Sequence, residues 1–189
     1  MNFAFVIFAF LFVVGGFRPW IGAPLTPGGN ESHFASGSRL LWPEGYRQWV
    51  WLSSGLGMSY SPQAMGMEPQ FDNVFVDPAS YQYFVQNGRW PDGTRLVLEE
   101  RDALSHGSIN KSGHFQGTLR GVEVEVKDAA RFRGKWAFFS FGLSTKPTEA
   151  LPTSAQCYSC HAQNGAVDNT FVQFYPTLAE IAKQKGTFK

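Results

Sequence analysis

The chain has 189 residues, 43 % of them hydrophobic, and a formal net charge of +1, which suits one packed domain behind a short N-terminal segment. Lys and Arg total 16 against 15 Asp and Glu, and no run of like charge occurs, so the basic patch that nucleic-acid binding requires is missing. The aromatic share is 16 %, with 18 Phe and 6 Trp, which fits a β-rich core or a cofactor pocket because rigid rings bury large areas at little rotamer cost.

Residues 3–14 are continuously apolar and lead into Gly15 and Gly16. That stretch is short of the roughly 20 apolar residues a spanning helix needs, and it matches the h-region of a secretory signal. Residues 1–23 are therefore expected to be a signal peptide or a retained N-terminal anchor, 24–41 a Gly, Pro and Ser-rich linker, and 42–189 the working domain. Either fate of the leader exports the chain to the periplasm.

A first helix is expected over residues 45–52, where Tyr46, Val50 and Trp51 share a face. Residues 58–70 carry three Met, two Pro and a Gly without periodicity and read as loop. Residues 73–76 read as a short strand, and Pro78 opens a helix running to Gln86, with Tyr81, Phe84 and Val85 as its apolar stripe. Trp90-Pro91-Asp92-Gly93-Thr94 is a turn whose Asp-Gly pair favours tight hairpin geometry. A segment from Arg95 to Glu100 and a polar loop over 105–113 follow. Residues 118–126 alternate in hydrophobicity (Leu119, Val122, Val124, Val126), as a half-buried strand does. Residues 136–143 are apolar enough for a central strand, Pro147 and Pro152 break the chain, and Pro176 begins a last helix carrying Leu178, Ile181 and Ala182. Strands joined by turns rather than crossover helices define an α+β class, a mainly antiparallel β-sheet with a few helices.

The two cysteines stand together in Cys157-Tyr158-Ser159-Cys160-His161, the attachment pattern of a c-type haem. Two thiols one helical turn apart reach the two vinyl groups of one porphyrin, and the adjacent imidazole points at the iron. A disulfide scaffold would spread its cysteines to close loops. A zinc site would need a second ligand pair, whereas His33, His106 and His114 are scattered. A thioredoxin-like dithiol belongs near the start of a βαβ unit, and a plain disulfide leaves His161 without a role. The expectation is one covalent haem c held by Cys157 and Cys160, with His161 as proximal iron ligand, attached close to the C-terminus. The remaining tail, 162–189, contains neither Met nor His, so a sixth ligand would have to come from Met58, Met65, Met67, His106 or His114 through tertiary folding. Five-coordinate iron, open to small molecules such as NO, is the preferred state.

The surroundings of this motif resemble the cytochrome P-460 and cytochrome c′-β family. The resemblance spans residues 42–178 and rests on Tyr46-Arg47-Gln48-Trp49-Val50, Val74-Phe75-Val76-Asp77-Pro78 with Tyr81, and Asp92-Gly93-Thr94. It continues in Val126-Lys127-Asp128 with Arg131-Phe132, in Trp136-Ala137-Phe138-Phe139, and in Phe174-Tyr175-Pro176. It implies a mainly antiparallel β fold with helices, a five-coordinate haem, and frequent homodimers. Members of the P-460 branch oxidise hydroxylamine with a lysine bonded to the porphyrin edge, a few residues beyond the Asp-Gly-Thr turn. Ungapped alignment places Leu98 there, and leucine cannot form the bond. Lys127 and Lys135 fall in other family blocks, and Lys111 lies in a loop.

At that position the chain is similar to the c′-β branch, whose apolar, aromatic distal pocket favours uncharged diatomics. The distal-wall candidates are Leu98 and Phe71, with Phe75 behind them. Alternation puts Glu100 on the face of Leu98 and Glu99 on the other, both expected as solvated charges, while Arg47 and Arg120 are candidates for the haem propionates. The leading functional expectation is a gas-binding haem protein for NO or a CO-like ligand. The alternatives are a hydroxylamine or NO oxidoreductase and a six-coordinate electron carrier with a periplasmic redox partner.

Overall fold

The computed structural model describes residues 33–35, 37–59 and 68–189. Its frame is one five-stranded antiparallel sheet in the order β1-β2-β3-β4-β5, with the strands side by side in chain order. The strands are β1 (Val50–Leu56), β2 (Gln70–Val76), β3 (Arg95–Leu104), β4 (Phe115–Lys127) and β5 (Trp136–Gly142). Three helices accompany them: α1 (Pro78–Asn87) between β2 and β3, then α2 (Gln156–Asn164) and α3 (Pro176–Gln184) after β5. The architecture is the expected α+β class. The leader of residues 1–23 and Met65 and Met67 lie outside the described residues.

The sheet separates two cores. On one side Phe34, Leu40, Tyr46, Val97, Val122, Val124, Val126, Ala137, Phe139 and Phe141 pack together. On the other, Leu52, Val76, Trp90, Leu96 and Trp136 meet Phe84 of α1 and Leu178, Ala179 and Ala182 of α3. Phe34 and Leu40 lie in the segment read as linker, yet Leu40 is 1 % exposed and bridges to both Phe34 and Thr148, so the packed domain begins before residue 42.

Local chemistry explains the boundaries. Helix α1 starts where the Asp77 side chain accepts a hydrogen bond from Ser80 N at 2.9 Å, with Pro78 in the first turn, and it stops at Gly88 in the left-handed region (φ 68°). The expected helix over 45–52 is replaced by a single 3-10 turn, Tyr46–Gln48, followed directly by edge strand β1. Spacing there mimicked a helical stripe, but β-branched Val50 and aromatic Trp51 pair with Val76 and Phe75 of β2. Strand β2 also begins three residues earlier than the short strand read from sequence. The Asp92-Gly93 turn connects α1 to β3 rather than closing a hairpin.

Candidate haem site

Register decides which side chains share a wall. In the ladder Asp72 pairs with Glu100, Val74 with Leu98, and Val76 with Leu96. Leu98 in turn pairs with Glu123, and Leu96 with Glu125. Because side chains alternate along a strand, Asp72, Val74, Leu98, Glu100, Glu123 and Glu125 emerge on one face. All of them line a cavity of about 750 Å³, closed on its other side by Cys157, Cys160 and His161 of α2 and by Phe171 and Phe174. That volume is within the range of sites that enclose a cofactor, roughly 300–1,000 Å³.

Helix α2 brings the motif to this cavity. Cys157 and Cys160 are free thiols, half-buried and one turn apart. Helix α2 has no side-chain cap and no fully buried residue, a poor prospect for nine residues standing alone. Tyr158 fastens it, donating to Leu151 O at 3.0 Å and meeting the Phe138 ring edge-on at 4.8 Å. The imidazole of His161 sits between Phe138 and Phe171, with centroid separations of 4.6 and 4.3 Å. Its Nδ1 lies 2.9 Å from Asn169 O; a carbonyl only accepts, so Nδ1 carries the proton and Nε2 keeps its lone pair. That is the arrangement of a metal-ligating histidine, whose other nitrogen is fixed by a backbone carbonyl. Glu125 Oε2 stands 3.2 Å from the same Nδ1.

Electrostatics distinguish this wall. Burial pushes the Glu123 carboxyl above its ordinary value, and the neighbouring Glu100 adds to the shift. Asp72 is raised for the same two reasons, although the Gln70 amide, 3.0 Å from Asp72 Oδ1, works against it. Cys157 is raised by burial and by Glu123. For His161 burial favours the neutral ring, but Glu125, the Asn169 carbonyl and Glu123 together outweigh it and raise the value. No Lys or Arg lines the cavity among the described residues.

The sequence candidates divide cleanly. Leu98, Cys157, Cys160 and His161 come together around the cavity, and so does Glu100. Phe71 does not: it pairs with Arg101, on the face away from the cavity. Parity overturns it as a wall candidate, because the strand runs unbroken from Gln70 and only even positions of β2 look inward. Phe75 shares that outer face, edge-on to Tyr46 at 5.7 Å. Glu99 is not a solvated charge but 3 % exposed, bound by Arg47, Arg101 and Tyr46. Arg47 therefore points away from the cavity, and Arg120 is ion-paired with Asp102. Among the candidate sixth ligands, Met58 lines the cavity at the end of β1, whereas His106 and His114 sit in the β3–β4 loop and do not. Lys111 stays in that loop, Lys135 in the β4–β5 turn, and Lys127 is committed to Asp168 and Trp90 O, both at 2.7 Å.

Sequence reasoning missed Asp72, Glu123, Glu125, Phe138 and Phe171. The Val122-Glu123-Val124-Glu125-Val126 alternation carried a signal for two of them, since a strand with one packed face has a second face to assign. The expected apolar, aromatic wall is corrected: Leu98 and Val74 are flanked by carboxyl groups.

Two free thiols a turn apart, an imidazole with Nε2 available, flanking rings and a cavity of this size fit a porphyrin, and the class they define is a mono-haem cytochrome c built on an antiparallel sheet. The sequence model of the cytochrome P460 family matches residues 43–172, and the chain belongs to that family. Proteins of this family carry one covalent c-type haem, and so does this chain. A search of curated proteins returns no match.

Proposed function

We propose that thioethers to Cys157 and Cys160 hold the haem, that His161 Nε2 ligates its iron, and that the opposite coordination position binds a small uncharged nitrogen oxide, NO foremost, in an exported, periplasmic protein. The observation that carries this reading is the absence of Lys and Arg from the described cavity wall. It has two consequences. No amine is available to bond the porphyrin edge, because Leu98 occupies the wall where the resemblance puts a lysine. Nor does a Lys or Arg among the described residues offset the desolvation of an anion, so nitrite-like ligands are disfavoured beside Asp72, Glu100 and Glu123. When bound, the haem supplies an iron that exchanges electrons and binds diatomics. The chain's own contribution is selection: Leu98 and Val74 shape an apolar patch, and the carboxyl groups around it repel negative charge.

A second reading, oxidation of hydroxylamine, is favoured by the raised Asp72 and Glu123 carboxyl groups. Carboxyl groups whose hold on the proton is strengthened by burial are suited to passing protons during such an oxidation. One sample separates the two. The anaerobic ferrous protein is expected to be high-spin, to change its spectrum on adding NO, and to show no hydroxylamine turnover. Turnover with added oxidant would favour the second reading, and a low-spin spectrum indifferent to NO would contradict both and point to Met58 as sixth ligand.

A further inference from the structure

The proximal side holds an underused hydrogen-bond acceptor. Glu125 Oε2 is fully buried and 3.2 Å from Nδ1 of His161, close enough to raise the ring's affinity for a proton, yet it receives no well-directed hydrogen bond. The Nδ1 proton goes instead to Asn169 O at 2.9 Å. A buried carboxylate is normally the stronger acceptor, since charge-assisted hydrogen bonds are about twice as strong as neutral ones. Something must hold the carbonyl in place against that preference.

The turn carrying Asn169 is built for it. Val167 and Thr170 pair across a two-residue turn, with Thr170 N donating to Val167 O at 2.8 Å. Its central residues, Asp168 and Asn169, both have positive φ (50° and 62°), as a type I′ turn demands, and neither is glycine. Asp and Asn tolerate that geometry locally, so tertiary contacts are what fix the place of the turn. Two anchors do so. Lys127, at the end of β4, bridges Asp168 Oδ2 and Trp90 O, both at 2.7 Å. Trp90 Nε1 donates to Thr170 Oγ1 at 2.8 Å, in full burial. Gly165 admits the turn closely, since a Cβ there would fall 2.5 Å from the Asn169 carbonyl carbon.

We propose that the Lys127–Asp168 pair is a positioning device that holds the proximal imidazole on the neutral Asn169 carbonyl and keeps it off the Glu125 carboxylate, thereby limiting electron donation to the iron. The proposal rests on His161 being the iron ligand. Releasing the clamp lets Nδ1–H move to Glu125, which gives the ring more imidazolate character, strengthens the iron–histidine bond and favours ferric iron.

The test is resonance Raman of the ferrous holoprotein together with its reduction potential, for Lys127→Met, Asp168→Asn, Lys127→Arg and Lys127→Met/Glu125→Gln. The expected result is a higher iron–histidine frequency and a lower potential in Lys127→Met and Asp168→Asn. Both readouts should stay near wild type in Lys127→Arg, and the double variant should lose the shift. Should Lys127→Met fail to fold, the half-buried Asp168→Asn decides alone. Folded variants with lowered melting temperature but unshifted frequency and potential would overturn the device, as would a shift that survives Glu125→Gln. Failure of the underlying ligand assignment looks different: the iron–histidine band would be missing from the wild type or would persist in His161→Gly.

Discussion

Glu99 and Glu100 are consecutive residues of β3, yet the two faces of the sheet treat their acids in opposite ways. On the outer face Glu99 is buried and fully matched: Tyr46 donates at 2.5 Å, and Arg47 and Arg101 each donate at 2.6 Å. Burial alone would raise its carboxyl, but Arg101, Tyr46 and Arg47 together bring it below its ordinary value. On the inner face Glu100 joins Asp72 and Glu123 along a wall with no Lys or Arg among the described residues, and Asp72 and Glu123 are raised. The outer face uses its charges to hold the sheet together; the inner face gives Asp72 and Glu100 only the neutral Gln70 amide beside the haem cavity. Raised, unpaired acids beside a cavity are the pattern expected of a chemical site, and matched ones that of a scaffold.

That contrast can be broken experimentally. The largest effect is expected from Glu99→Ala, which strands two arginines and a tyrosine and should cost about 3 kcal/mol in urea unfolding, because removing one partner of a buried ion cluster leaves the others uncompensated. Arg47→Ala, from the half-exposed edge of the same cluster, should cost about 1 kcal/mol. Glu123→Gln on the inner face should be the smallest and of opposite sign, a gain of about 0.5 kcal/mol at neutral pH, since it removes a charge that burial disfavours.

The pH dependence sharpens the same point. A lowered carboxyl such as Glu99 contributes stability above its unfolded value, near 4.5, that disappears as pH falls through its folded value. A raised one such as Glu123 is most favourable below that unfolded value and loses its contribution as pH rises through its higher folded value. Glu99→Gln should therefore flatten the acid limb of the stability profile, and Glu123→Gln the decline on its alkaline side. Thermal melts from pH 3 to about 8 would read both.

Much of this was legible in the sequence. The Cys-x-x-Cys-His motif, the alternation of β4, the apolar run of β5 and the prolines opening α1 and α3 each carry a local physical signal. What escaped was set by pairing rather than by local pattern. Gly45, at φ 67°, and a single 3-10 turn tip the chain into β1, where spacing alone reads as helix. Phe71 is a wall candidate by sequence, where the start of β2 and hence its parity are not fixed; its pairing with Arg101 puts it on the other face. Glu123 and Glu125 alternate with buried valines, and a lone sequence cannot say whether the second face meets water or a cofactor.

The central claim is the covalent attachment. Intact-mass analysis of the denatured protein, matured in a host able to assemble c-type cytochromes, should give one species heavier than the chain by one haem, with neither cysteine open to alkylation. Cys157→Ala/Cys160→Ala made in the same host should release all its haem on denaturation. A colourless wild-type chain that takes up two alkyl groups would contradict the account at its root.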